Sequence, residues 1–123
     1  MMLLALVMVA AAEPTCPAQP EALVATSEAA LGAWTSMDVP SFSRSQRDLQ
    51  AALACQDAAM TPAAAGAVHR VEALSTYLGG DEDGTAQRFQ AAILADPDWA
   101  FPETLAPAGN PLHLLYVSAR STP

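Results

Sequence analysis

Two histidines, His69 and His113, are the residues of this sequence best suited to acid–base chemistry. A serine nucleophile needs a histidine as general base and a third group that orients the histidine. Ser75 follows His69 by six positions, so on one helix the two side chains lie on roughly opposite sides. No acidic residue lies near His113 in the sequence. We therefore predict no catalytic residue, and we keep a small secreted hydrolase or a metal-dependent enzyme using His69 or His113 as an alternative.

Residues 81–84 read Asp-Glu-Asp-Gly, a pattern similar to the start of an EF-hand calcium loop. That loop spreads its oxygen ligands over about 12 residues and ends in a glutamate. The positions after Gly84 have a helical pattern and lack such a glutamate, so the acids are better explained as a charged helix start. A zinc site normally takes four ligands in close pairs, and one pair of cysteines with two distant histidines does not supply them. We expect no metal and no cofactor.

The two cysteines are Cys16 and Cys55. In an oxidising compartment an even number of cysteines predicts a disulfide, which here ties the N-terminal segment to a helix in the middle of the chain. Closing a loop of this length stabilises a protein by roughly 4 kcal/mol in the chain-entropy model. The alternative is a buried Cys55 and a free thiol at Cys16.

The chain begins with an apolar run at residues 1–12, which read MMLLALVMVAAA. The run is shorter than the roughly 20 residues of a membrane-spanning helix. It matches the apolar core of a signal peptide, and Ala10 and Ala12 form a small-x-small cleavage pattern. No basic residue precedes the run, which an upstream start codon would explain, and the residues before Cys16 are not those that direct lipid attachment. We expect cleavage after Ala12 and export to the periplasm, cell envelope or extracellular space, without membrane insertion after cleavage.

The composition favours helices and an acidic surface. Hydrophobic residues make up 52% of the 123 residues, and alanine, the best helix former and a poor strand former, is the most frequent. The sequence has 13 acidic residues against five arginines and no lysine, for a net charge of -8. Nucleic acids and anionic lipid surfaces attract basic proteins, so this charge argues against both as partners.

Apolar spacing and helix-terminal residues predict an all-α fold with about five helices packed as antiparallel hairpins. Thr61-Pro62 and Asn110-Pro111 each combine a capping side chain with a proline, and Gly79-Gly80 ends the third helix. The first helix is predicted from Glu21 to Met37, and the second is predicted to reach about Ala59. The domain plan is a signal peptide at 1–12, a proline-rich lead at 13–20, one helical domain at 21–120, and a tail or linker at 121–123.

The predicted core includes an apolar stripe on the third helix and three aromatic anchors. The stripe repeats at helical spacing, and the anchors lie at the end of the first helix and after the fourth. The stripe is Ala67, Val71, Leu74 and Leu78, and the anchors are Trp34, Trp99 and Phe101.

The third and fourth predicted helices resemble one tetratricopeptide repeat. Gly80-Asp81 matches the turn of that family, Phe89 and Ala92 match a spacing in its second helix, and Pro97 closes the unit. The match covers residues 66–99, about a quarter of the chain, and it departs from the family at Thr85, His69, Glu72 and Tyr77. The resemblance implies stacked neighbouring units, with the first two helices as a degenerate repeat and the last helix as a cap. The composition is also similar to that of exported, alanine-rich bacterial proteins of unknown function.

In tetratricopeptide repeats the first helix of each unit lines the groove that binds a partner. By this resemblance Arg70 and Tyr77, which share one face of the third helix, are the predicted partner-binding residues. The alternative is a solvated arginine and a tyrosine at the edge of the core. The predicted function is an exported helical module that binds a protein or peptide partner, or the helical domain of a larger cell-envelope protein. A structural spacer without a ligand is a further alternative.

Overall fold

The computed structural model describes residues 19–56 and 59–122. Over these residues the chain forms five α-helices and no β-strand, which confirms the all-α prediction. None of the described helices is both long and apolar enough to cross a membrane. The predicted signal peptide, Cys16 and the rest of the lead up to residue 18 lie outside the described residues, as does Pro123. The helices are α1 (Pro20–Thr35), α2 (Val39–Ala54), α3 (Pro62–Leu78), α4 (Glu82–Ala95) and α5 (Pro111–Ser121).

Side-chain caps determine where four of the helices begin. The side chains of Asp38, Thr61, Asp81 and Asn110 each accept a hydrogen bond from a backbone N–H in the first turn of the following helix. These bonds satisfy donors that have no partner within the helix. The predicted caps at Thr61 and Asn110 are confirmed.

The turn between α1 and α2 is a Schellman motif, in which the chain leaves the helix through one left-handed residue. The N–H of Asp38 donates to Ala33 O at 2.9 Å, and the N–H of Met37 donates to Trp34 O at 2.9 Å. Met37 is the left-handed residue, with φ 57°. The first helix therefore ends at Thr35, two residues before the predicted end at Met37.

The turn between α3 and α4 has the same form. The N–H of Asp81 donates to Thr76 O at 3.3 Å, and Gly80 is the left-handed residue with φ 82°. Asp38 and Asp81 occupy the same place in the two turns, and each caps the helix that follows it. The two hairpins thus share one turn geometry, but the first has methionine where the second has glycine.

The predicted second helix is too long. The N–H of Cys55 donates to Ala52 O at 3.2 Å and the N–H of Gln56 donates to Leu53 O at 3.1 Å, so the last turn tightens and α2 ends at Ala54 instead of about Ala59. Met60 lies before the start of α3 and is exposed.

The two antiparallel hairpins pack with their first helices side by side. Pro20 and Thr61, at the starts of α1 and α3, lie against one cleft, and the rings of Trp34 and Tyr77 near their ends are 6.3 Å apart. Helices α1 and α3 therefore run in the same direction. Their contact forms the middle of the core, whose largest buried side chains are Phe42, Phe89, Leu23, Leu49, Leu74 and Leu112.

Residues 96–110, which carry Trp99 and Phe101, cross the molecule between α4 and α5 without forming a helix. Arg120 at the end of α5 donates to Pro97 O at 3.3 Å, and His113 Nδ1 at its start donates to Ala106 O at 2.8 Å. The crossing segment therefore runs antiparallel to α5, and α5 runs in the same direction as α4. Both predicted anchors pack against the core.

Candidate functional site

The predicted partner-binding residue Arg70 is buried in the structure, with 6% of its surface exposed. Its guanidinium pairs with Asp96 at 3.3 Å and lies 4.3 Å from the centre of the Trp99 ring. Burial lowers the pKa of Arg70, while the charge of Asp96 opposes this shift. The prediction of an accessible Arg70 is therefore wrong, because the start of the crossing segment covers this part of α3.

Tyr77 shares the face of α3 with Arg70 but has a different neighbour. Its half-buried ring packs on Trp34 from the first hairpin. Ala73, between them on this face, is fully buried. The two predicted residues therefore do not form a joint open surface, since the molecule's own aromatic side chains lie over the face.

The histidines of the alternative enzyme hypothesis lie in separate surroundings. His69 Nδ1 is 3.4 Å from Glu72 Oε2, and Arg88 donates to the same oxygen at 3.0 Å. His113 packs on the Phe101 ring, with centroids 4.6 Å apart. No group of three or more potential metal ligands is found among residues 19–56 and 59–122. The acids at 81–83 form the charged start of α4, as predicted.

Cys55 follows α2 as its C-cap and packs, half-buried, against the core. Its predicted partner Cys16 lies outside the described residues, so the disulfide stays a prediction.

A groove of about 420 Å³ opens where several helix ends meet the crossing segment. The end of α1, the start of α2, the end of α3 and residues 104–107 with Asn110 form its lining. Its volume falls in the roughly 300–1,000 Å³ range of ligand pockets.

The rim of the groove carries large apolar side chains that are open to solvent. Met37 is 88% exposed, Val39 51% and Leu78 48%. Leu78 was predicted to complete the buried stripe of α3, and its exposure corrects that prediction, whereas Ala67, Val71 and Leu74 are buried. The stripe ends one turn early because Leu78 is the last residue of the helix and faces the open groove.

The walls of the groove are aromatic and tied together. Trp34 packs edge-on against Phe42 with ring centroids 5.3 Å apart, and its Nε1 donates to Leu105 O at 3.2 Å. The groove also has a charged side chain, Asp38, whose carboxylate accepts hydrogen bonds from the N–H and hydroxyl of Ser41. These bonds lower the pKa of Asp38, the hydroxyl having the larger effect, and keep it ionised. The site therefore offers an apolar surface with one negative charge at its edge.

Sequence reasoning missed the rim residues. Leu78 directly precedes two glycines and Val39 directly follows a capping aspartate, so the neighbouring sequence indicates that both lie at hairpin ends. Met37 had none, because nothing in its local sequence marks it as left-handed.

Comparison with protein-family models, curated proteins and solved structures finds no match to this chain.

Proposed function

We propose that this protein is an exported helical interaction module that binds a segment of a protein or peptide partner in the groove. One observation carries the proposal: Met37, Val39 and Leu78 expose apolar side chains around a single aromatic-walled groove. Exposed apolar surface costs free energy in water, and its concentration around a concave site is typical of binding surfaces.

Met37 adds independent support. A left-handed conformation costs a residue with a Cβ atom roughly 1–2 kcal/mol, and Gly80 avoids that cost in the matching turn. The Met37 side chain is almost fully exposed, so packing within the protein does not offset the strain. Methionine is flexible and polarizable, which suits contact with a partner's apolar side chains.

The tetratricopeptide-like organisation is part of the proposal. Two hairpins with the same turn and side-by-side first helices support two related units, the first being degenerate. Within this arrangement the partner site is assigned to the hairpin ends, and not to the covered face of Arg70.

Export and the Cys16–Cys55 bridge complete the proposal and rest on the sequence. The same groove serves a module that acts alone or one that is the helical domain of a larger cell-envelope protein.

A displayed library of random short peptides, selected on the purified chain, tests the proposal. We expect enrichment of apolar peptides, and a synthetic winner should bind Leu78→Gln about 5- to 10-fold more weakly, because part of an apolar contact is lost. Leu94→Gln is the matched control, since Leu94 is 85% exposed and does not line the groove. A selection that enriches no peptide, as expected for a structural spacer, would contradict the proposal. An equal loss of peptide affinity in both variants would also contradict it.

A further inference from the structure

We infer that the occupant of the groove is a peptide segment in which a lysine or arginine accompanies the apolar anchor and pairs with Asp38. This inference rests on the proposed function and names the chemistry of its partner. It combines the apolar rim described above with the distribution of charge around it.

Asp38 is the one charged side chain among the described residues that line the groove. Its carboxylate is exposed and is held in place by Ser41, so no rearrangement is required for it to meet a cation. Arg44 forms no ion pair with it in the described part of the chain, and among the causes that shift the pKa of Asp38 the charge of Arg44 is the smallest. The negative charge at the rim is therefore available to a partner.

Helix ends of both signs meet at the groove. The last turns of α1 and α3, which bring Thr35 and Leu78 to the groove, contain no basic residue. The carbonyl ends of helices carry partial negative charge and favour nearby cations. The starts of α2 and α5 also lie here, but Asp38 and Asn110 already bond their N–H groups, and a proline in each first turn removes another donor. The carbonyl groups in the last turns of α1 and α3 also accept bonds, from the N–H groups of the two Schellman turns, so the distinct local charge of the rim is that of Asp38.

A second copy of this chain is a poorer occupant. Each copy carries a net charge of -8, so association of two copies brings like charges together. In a symmetric pair the Asp38 carboxylates of the two copies would also approach each other. A basic segment, in contrast, is attracted by the overall charge and by the local one.

Peptide selection on the purified chain and on Asp38→Asn tests this inference. Asparagine caps helices about as well as aspartate, so the variant removes the charge and keeps the α2 start. We expect the unaltered protein to enrich peptides with lysine or arginine beside an apolar residue. Replacing that basic residue by norleucine should weaken binding to the unaltered protein by about 2- to 5-fold, in line with an exposed ion pair, and should leave binding to Asp38→Asn unchanged.

Three outcomes would overturn the inference. These are enrichment of neutral apolar peptides, an equal lysine preference in both proteins, or a dimer in sedimentation that Leu78→Gln dissociates. The first two leave the proposed function standing if Leu78→Gln still weakens binding. Failure of every peptide to bind would count against the proposed function itself.

Discussion

Trp34 Nε1 donates a 3.2 Å hydrogen bond to the carbonyl oxygen of Leu105, which joins the end of the first helix to the crossing segment. Both residues line the groove, so this bond connects two of its walls. The groove is therefore assembled from parts of the chain that are distant in sequence, and its shape depends on the packing of residues 96–110.

The ion pair between Arg70 and Asp96 should respond asymmetrically to removal of either partner. Asp96→Asn leaves a buried guanidinium without its counter-charge, whereas Arg70→Met leaves a carboxylate that remains partly exposed to water. We expect Asp96→Asn to lower the free energy of unfolding by about 2–4 kcal/mol and Arg70→Met by less. Urea unfolding measures both, with exposed Asp98→Asn as control. Equal losses would show that the burial of Arg70 does not determine the free-energy cost of breaking the ion pair.

Gly66 should be required for the approach of α3 to the end of α4. A Cβ atom at this position would lie 2.6 Å from Asp96 Cβ and 2.9 Å from an Arg70 nitrogen. Gly66→Ala should therefore destabilise by about 1–3 kcal/mol through overpacking. Gly32 is the matched control, because nothing lies within 4 Å of its added Cβ and alanine there should stabilise the helix by about 0.5–1 kcal/mol. If both substitutions changed the melting temperature in the same direction, the close approach of α3 to the end of α4 would be refuted.

Met37→Gly should stabilise the protein while it weakens peptide binding. The change relieves the left-handed strain and removes a side chain with few internal contacts. Glycine also adds conformational freedom to the unfolded chain, which offsets part of this effect. We expect a net gain in the free energy of unfolding of roughly 0.5–1 kcal/mol. Gly80→Met, the reverse change in the matching turn, should destabilise by about 1–2 kcal/mol. A Met37→Gly variant that is less stable than the original would show that Met37 has a structural role.

The stability contribution of Asp38 should disappear in acid. Its pKa is lowered in the folded protein by hydrogen bonds from Ser41, so its contribution is present above the unfolded pKa of about 4 and is lost as the pH falls through the folded value. The difference in melting temperature between the unaltered protein and Asp38→Asn should be positive near about pH 6 and should shrink below about pH 4. Both proteins carry the other acidic residues, so taking the difference between their melting temperatures removes the effect of those residues. A difference that does not vary with pH would contradict the bonding at Ser41.

The fold could be predicted from local signals more fully than the site. Capping side chains, prolines and the Gly79-Gly80 stop mark helix ends through interactions within a few residues, so they are readable in sequence. Burial of Arg70 depends on Asp96 and Trp99, which reach it only after the chain has crossed the molecule. The groove depends in the same way on tertiary packing. The left-handed turn at Met37 was missed because its sequence lacks the glycine that usually marks such a turn.

The central claim is that a partner segment binds in the groove. The chemical shift of the Met37 methyl group on addition of a selected peptide tests it most directly. Met37 lies on the groove rim, while Met60 is partly exposed but does not line the groove, and it serves as an internal control in the same spectrum. Binding in the groove predicts a saturable shift of the Met37 methyl signal with little change at Met60. A peptide that binds with the Met37 signal unmoved would contradict the account.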